Sequence, residues 1–61
     1  MNEREKAFVK RVRKRLIDLE WEQRTLAQRL GVDESYVSML LNGKRSITAD
    51  LKRRITDVMG L

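Results

Sequence analysis

Sixty-one residues suffice for one domain, spanning 1–61, with a single small core; the lack of any cysteine or histidine excludes disulfides, Cys/His zinc sites, thiol nucleophiles and histidine acid–base chemistry. Fourteen Lys and Arg against nine Asp and Glu leave a net charge of +5, which points to an anionic partner. The longest apolar runs, such as Met39-Leu40-Leu41, fall far short of the roughly 18 residues of a membrane span, and no signal-peptide core opens the chain. A soluble, cytoplasmic protein without membrane contact is expected.

Zero proline and three glycines among dense helix formers predict an all-α fold with short connections. Asn2 with Glu5 has the spacing of a capping box, and Phe8, Val12, Leu16 and Leu19 then mark a helical stripe to about residue 20. This first helix carries the charge surplus, clustered at Lys10, Arg11, Arg13, Lys14 and Arg15. Such a cluster serves either as a solvated face or to attract phosphates, and helical spacing lets only a subset face one partner. The turn that follows, Leu19-Glu20-Trp21, has no glycine. Either a non-glycine residue takes the left-handed conformation at a cost of roughly 1 kcal/mol or more, or the turn is built differently.

Leu26, Ala27 and Leu30 give the second helix its apolar stripe. Its expected start is near Glu22, a poor side-chain cap whose charge still favours a helix N-terminus. A rival capping box, Thr25 with Gln28, would leave barely a turn and a half. Gly31 supplies the positive φ at which this helix stops, Val32 plugs the corner, and Asp33 caps a third helix with Val37, Leu40 and Leu41 inward. That helix should end at Asn42-Gly43. Ile47 lies in a short connection, Thr48 is the next N-cap, and Leu51, Ile55, Val58 and Met59 line a last helix. The total is four helices, or five. Two short helices pivoting on a glycine turn between Gln23 and Arg45 form the unit that places its second helix in a DNA major groove.

The stretch QRTLAQRLGVDESYVSMLLNGKR resembles the Cro/cI-type (lambda-repressor-like, XRE) helix-turn-helix family of phage and bacterial regulators. The matching positions are Gln23, Leu26, Ala27, Leu30, Gly31, Val32, Ser35, Val37, Ser38, Asn42, Gly43, Lys44 and Arg45, with weaker matches at Phe8, Val12, Ile55 and Met59. The resemblance implies a compact four-helix fold and a sequence-specific double-stranded-DNA-binding transcriptional regulator, a repressor of phage or mobile-element type. It also implies that helix 33–41 reads the major groove, with base contacts from Glu34, Ser35, Ser38 and Met39. Phosphate contacts would come from Gln23, Tyr36, Asn42, Gly43, Lys44 and Arg45.

By type, Ser35 donates or accepts, Glu34 accepts from a cytosine amino group, and Met39 suits a thymine methyl. None of the base-reading side chains is Arg, Asn or Gln, so DNA shape and backbone should carry a large share of specificity. Each residue also has a plainer use. Glu34 can be a solvated acid at a helix start, Ser38 and Tyr36 can pack, and Asn42-Gly43 can simply end the helix while presenting its amides. Trp21 sits at an apolar family position and is read as a core plug, not a platform for stacked bases. Leu16 and Leu41 occupy positions where many phage members bury an Arg–Glu pair. Apolar replacement of both partners is often neutral or stabilising, so Leu16 and Leu41 are expected to touch.

Two other classes remain open: a helix-turn-helix adaptor or antitoxin-like module that docks an acidic protein, and RNA binding through the basic first helix. Catalysis is not expected, nor is a metal, a cofactor or a small-molecule ligand, because the acids and hydroxyls form no paired constellation. The chain stops at Gly60-Leu61, just past the last helix, where relatives often continue into pairing elements. A monomer or weak homodimer in solution that pairs on DNA is therefore expected.

Overall fold

The computed structural model describes residues 2–61. Four helices follow in order: α1 (Glu3–Leu19), α2 (Gln23–Leu30), α3 (Glu34–Leu41) and α4 (Ala49–Met59). Three of the starts are made by the side chains that the sequence offers for capping. Asn2 accepts from the Glu5 N–H at 2.8 Å, Asp33 from the Ser35 N–H at 3.0 Å, and Thr48 from the Leu51 N–H at 3.1 Å. Helix α2 is the exception, since Glu22 holds the N-cap position with extended backbone but forms no side-chain cap bond. Thr25 and Gln28 lie inside α2, so the rival start is not used.

The turn after α1 is closed by Glu20 itself, at φ 58° and ψ 38°, the one non-glycine residue with positive φ among the described residues. The Glu20 N–H donates to Ile17 O at 3.1 Å and the Trp21 N–H to Leu16 O at 2.9 Å. These bonds satisfy carbonyls that a helix end would otherwise leave bare. After α2 the same task falls to Gly31 at φ 72°, followed by a Val32 N–H bond to Ala27 O at 3.0 Å.

One cluster forms the core. It joins Phe8, Val9, Val12 and Leu16 of α1, Leu26, Ala27 and Leu30 of α2, Val37, Leu40 and Leu41 of α3, and Leu51, Ile55 and Met59 of α4. Val9 belongs to it although it lies off the expected stripe, because α1 is covered across a face wider than one row of side chains. Leu19 and Val58 are only half-buried, at the rim. Leu16 and Leu41 are both buried in the cluster, and no polar or charged residue is buried among the described residues. Both positions thus lie in apolar surroundings.

Three arginines close the C-terminal ends of the other three helices. Arg13 Nη2 donates to Leu41 O at 2.8 Å, Arg15 Nε donates to Met59 O at 2.7 Å, and Arg54 Nη2 donates to Leu30 O. Each acceptor is the last residue of its helix. There the carbonyls lack intrahelical partners and the helix dipole is negative, so a guanidinium both completes the hydrogen bonding and meets favourable charge.

Candidate nucleic-acid interface

Helices α2 and α3 form the most extensively packed pair, and together they expose one face. Helix α3 is eight residues, or about 12 Å, long. It buries Val37, Leu40 and Leu41, leaves Glu34 and Ser35 exposed, and leaves Ser38 and Met39 half-buried on the opposite side. These last four residues, the ones named above as base-reading, line a single open depression. Gln23 lines it too, because the first residue of α2 lies alongside the outer face of α3.

Local bonds set what each group offers there. Asp33 engages the Ser35 N–H, so Ser35 presents its side chain. Glu34 Oε2 pairs with Arg24 Nε at 3.5 Å across the mouth of the two helices. Both side chains are more than half exposed, at 53% and 69%, so the pair orients Glu34 and adds little stability. Tyr36 is half-buried with its side chain packed against the core.

The two ends of this face differ. At the start of α2 the first intrahelical donors are Thr25 and Leu26, both to Glu22 O, and no side chain caps the turn, so the Gln23 and Arg24 amides point out unbonded. Beyond α3 the reverse holds. The Asn42 N–H donates to Ser38 O at 3.0 Å, Gly43 N–H to Leu40 O at 3.3 Å, and Lys44 N–H to Met39 O at 2.9 Å. The C-capping use of Asn42-Gly43 is thus the one seen, with Gly43 at φ 75° turning the Asn42, Gly43 and Lys44 amides back onto α3. What the loop holds outward is the exposed charge of Lys44 and Arg45. The Asn42 side chain is held between Arg13, at 3.3 Å from its Oδ1, and Ser38, whose Oγ lies 3.3 Å from its Nδ2.

The basic cluster of α1 divides accordingly. Arg13 reaches the end of α3 and Arg15 the end of α4, while Lys10, Arg11 and Lys14 are exposed. Trp21 is half-buried and packed on the core, and the Arg29 guanidinium lies 5.1 Å from its ring centroid. That contact and the packing on the core suit Trp21 to a plug more than to a stacking platform. Neither Arg13 nor Arg24 stands out as a site residue in the sequence. The only signal for either is proximity once the crossing of α1, α2 and α3 is known, although the Ser38–Asn42 spacing of four was visible.

Among the described residues no helix is long and apolar enough to cross a membrane, and no group of three or more acidic, cysteine or histidine side chains is placed to hold a metal ion. No curated protein and no solved structure matches the chain. A family model described as helix-turn-helix matches residues 10–61, which takes in most of α1 and all of α2, α3 and α4. With two short helices pivoting on Gly31 and an outward α3 inside that span, the chain belongs to the Cro/cI-type (XRE) family of helix-turn-helix DNA-binding domains.

Proposed function

We propose that this domain is a sequence-specific, double-stranded-DNA-binding transcriptional regulator, a repressor of phage or mobile-element type that acts by occupying operator DNA with α3 in the major groove. The observation that carries the reading is the joint depression of Gln23, Glu34, Ser35, Ser38 and Met39, flanked by the open amides of α2 on one side and by Lys44 and Arg45 on the other. Glu34, Ser35, Ser38 and Met39 contact bases. Arg24 orients the Glu34 carboxylate, which suits it to a cytosine amino group. Gln23 clamps one phosphate with the α2 amides, and Tyr36, Asn42, Gly43, Lys44 and Arg45 meet the strand beyond α3. At Gly43 the contribution is bare backbone that a phosphate can approach; at Lys44 and Arg45 it is charge.

RNA binding through α1 is the weaker reading, because Arg13 and Arg15 are occupied at helix ends. Ile17, 75% exposed, is the one exposed large apolar side chain among the described residues, which supports a monomer or weak homodimer in solution over a tight dimer; pairing on DNA and a cytoplasmic, nucleoid-associated place belong to the same reading. No small-molecule ligand, cofactor or catalytic role forms part of this reading.

Titration of the protein with random-sequence duplex in dilute buffer tests it, followed by selection of bound fragments from a random pool. Steeply salt-dependent binding with a recovered site supports the proposal. Unchanged tryptophan emission and amide resonances at every duplex concentration overturn it, and would turn attention to an acidic protein partner.

A further inference from the structure

We propose that Arg13, acting through Asn42, fixes Ser38 as a hydrogen-bond donor toward the DNA bases, so that Ser38 favours a base whose major-groove edge offers an acceptor over cytosine, whose edge offers only an amino group. The inference rests on the DNA-binding reading above and assigns a positioning role to a residue of α1 outside the helix-turn-helix unit.

The argument is one of hydrogen-bond polarity. A guanidinium has donors only, so the Asn42 side-chain atom that faces Arg13 Nη2 at 3.3 Å must be the carbonyl oxygen Oδ1. Arg13 is itself held in place by its 2.8 Å bond to Leu41 O. The other end of the same amide is then Nδ2, again a donor, and it faces Ser38 Oγ at 3.3 Å. Ser38 must accept there. Its own proton is left to be given elsewhere.

Among the described residues no hydrogen bond uses that proton. Thr56, a hydroxyl residue in α4, donates back to Lys52 O at 2.8 Å, but Ser38 makes no equivalent bond one turn back along α3. The Glu34 carboxylate lines the same depression but makes its contact with Arg24, through Oε2, and none with Ser38. Ser38 opens onto that depression. Its hydroxyl is therefore a directed donor, matched to purine N7, guanine O6 or thymine O4 and poorly matched to an edge that presents only an amino group.

The test uses a duplex selected by the full chain, with single acceptors removed or weakened one position at a time: 7-deazapurines remove N7, 2-aminopurine removes guanine O6, and 4-thiothymine weakens O4. For each protein the readout is the ratio of affinities for the parent and modified duplexes, which cancels any change in overall charge. The unsubstituted chain should lose roughly three- to tenfold at one base pair. Ser38→Ala should bring the ratio at that pair to one. Asn42→Asp should do the same, because a carboxylate keeps the Arg13 bond but takes the Ser38 proton for itself. Arg13→Met should reduce the ratio while Arg13→Lys, which retains a donor, preserves much of it; an arginine that merely capped α3 would leave the ratio unmoved. Binding to the selected duplex with no acceptor penalty at any position, or a penalty that survives in Ser38→Ala, overturns this inference alone. Failure to bind any duplex overturns it together with the reading beneath it.

Discussion

Glu20 stands in a left-handed conformation that the chain would adopt more readily with glycine, and replacing it should make the domain more stable. A side chain at φ 58° and ψ 38° costs roughly 1–2 kcal/mol against the following carbonyl. Glycine removes that cost but gives the unfolded chain more freedom, which returns about 0.4–1 kcal/mol. The substitution also removes an exposed carboxylate from the negative end of α1, a gain of about 0.3 kcal/mol. The cap bonds to Ile17 O and Leu16 O use backbone N–H groups and are kept. Glu20→Gly should therefore stabilise by about 1 kcal/mol, which for a domain of this size raises Tm by roughly 4–8 °C. Thermal unfolding followed by circular dichroism reads this directly. Glu20→Gln separates the charge contribution and should recover only the smallest part. A Glu20→Gly variant that melts at or below the parent temperature refutes the reasoning.

The arginine caps predict that Arg15→Ala and Arg54→Ala each lose about 1 kcal/mol in urea unfolding, while Arg53→Ala, an exposed neighbour, stays within about 0.5 kcal/mol of the parent. In duplex binding, Lys44→Gln and Arg45→Gln should each lower the slope of log K against log salt by about one, whereas Arg15→Gln should leave it unchanged, because Arg15 serves α4. Leu16→Arg and Leu41→Glu should each cost about 3 kcal/mol or more by stranding a charge in the core. The double variant should recover much of that loss, and strictly additive penalties in a double-mutant cycle would show that the two positions do not meet.

What was legible in the chain was local chemistry. Asn2, Asp33 and Thr48 cap helices because a short oxygen sits where a free amide begins, and Gly31 ends α2 because the positive φ is cheap there. The four positions proposed to face bases share one side of α3 by helical spacing alone. The Glu20 turn was legible only as a choice, since weighing its left-handed cost needs the packing of α1 on the rest of the core. Long side chains were harder still. The acceptors of Arg13, Arg15 and Arg54 lie 28, 44 and 24 residues away, and a run of bases on one helix does not say which flank meets which helix end. The Arg24–Glu34 pair and the place of Gln23 beside α3 likewise depend on how α2 crosses α3.

These assignments change how the net charge bears on binding. Three of the fourteen bases are held by helix-terminal carbonyls, Arg24 is paired with Glu34, and Arg29 and Lys52 lie over the rings of Trp21 and Phe8. These contacts leave the net charge at +5 but fix where several of the positive groups sit, so the charge is more localised than an even spread over the surface would be. Its placement matters most at the end of α3, because that end carries the negative pole of the helix dipole next to the loop proposed to meet a phosphate. An uncovered Leu41 carbonyl there would repel the strand that Lys44 and Arg45 are proposed to attract. Arg13 covers it, so one side chain from α1 closes α3, orders Asn42 and, on the proposed reading, removes an electrostatic obstacle from the approach of DNA.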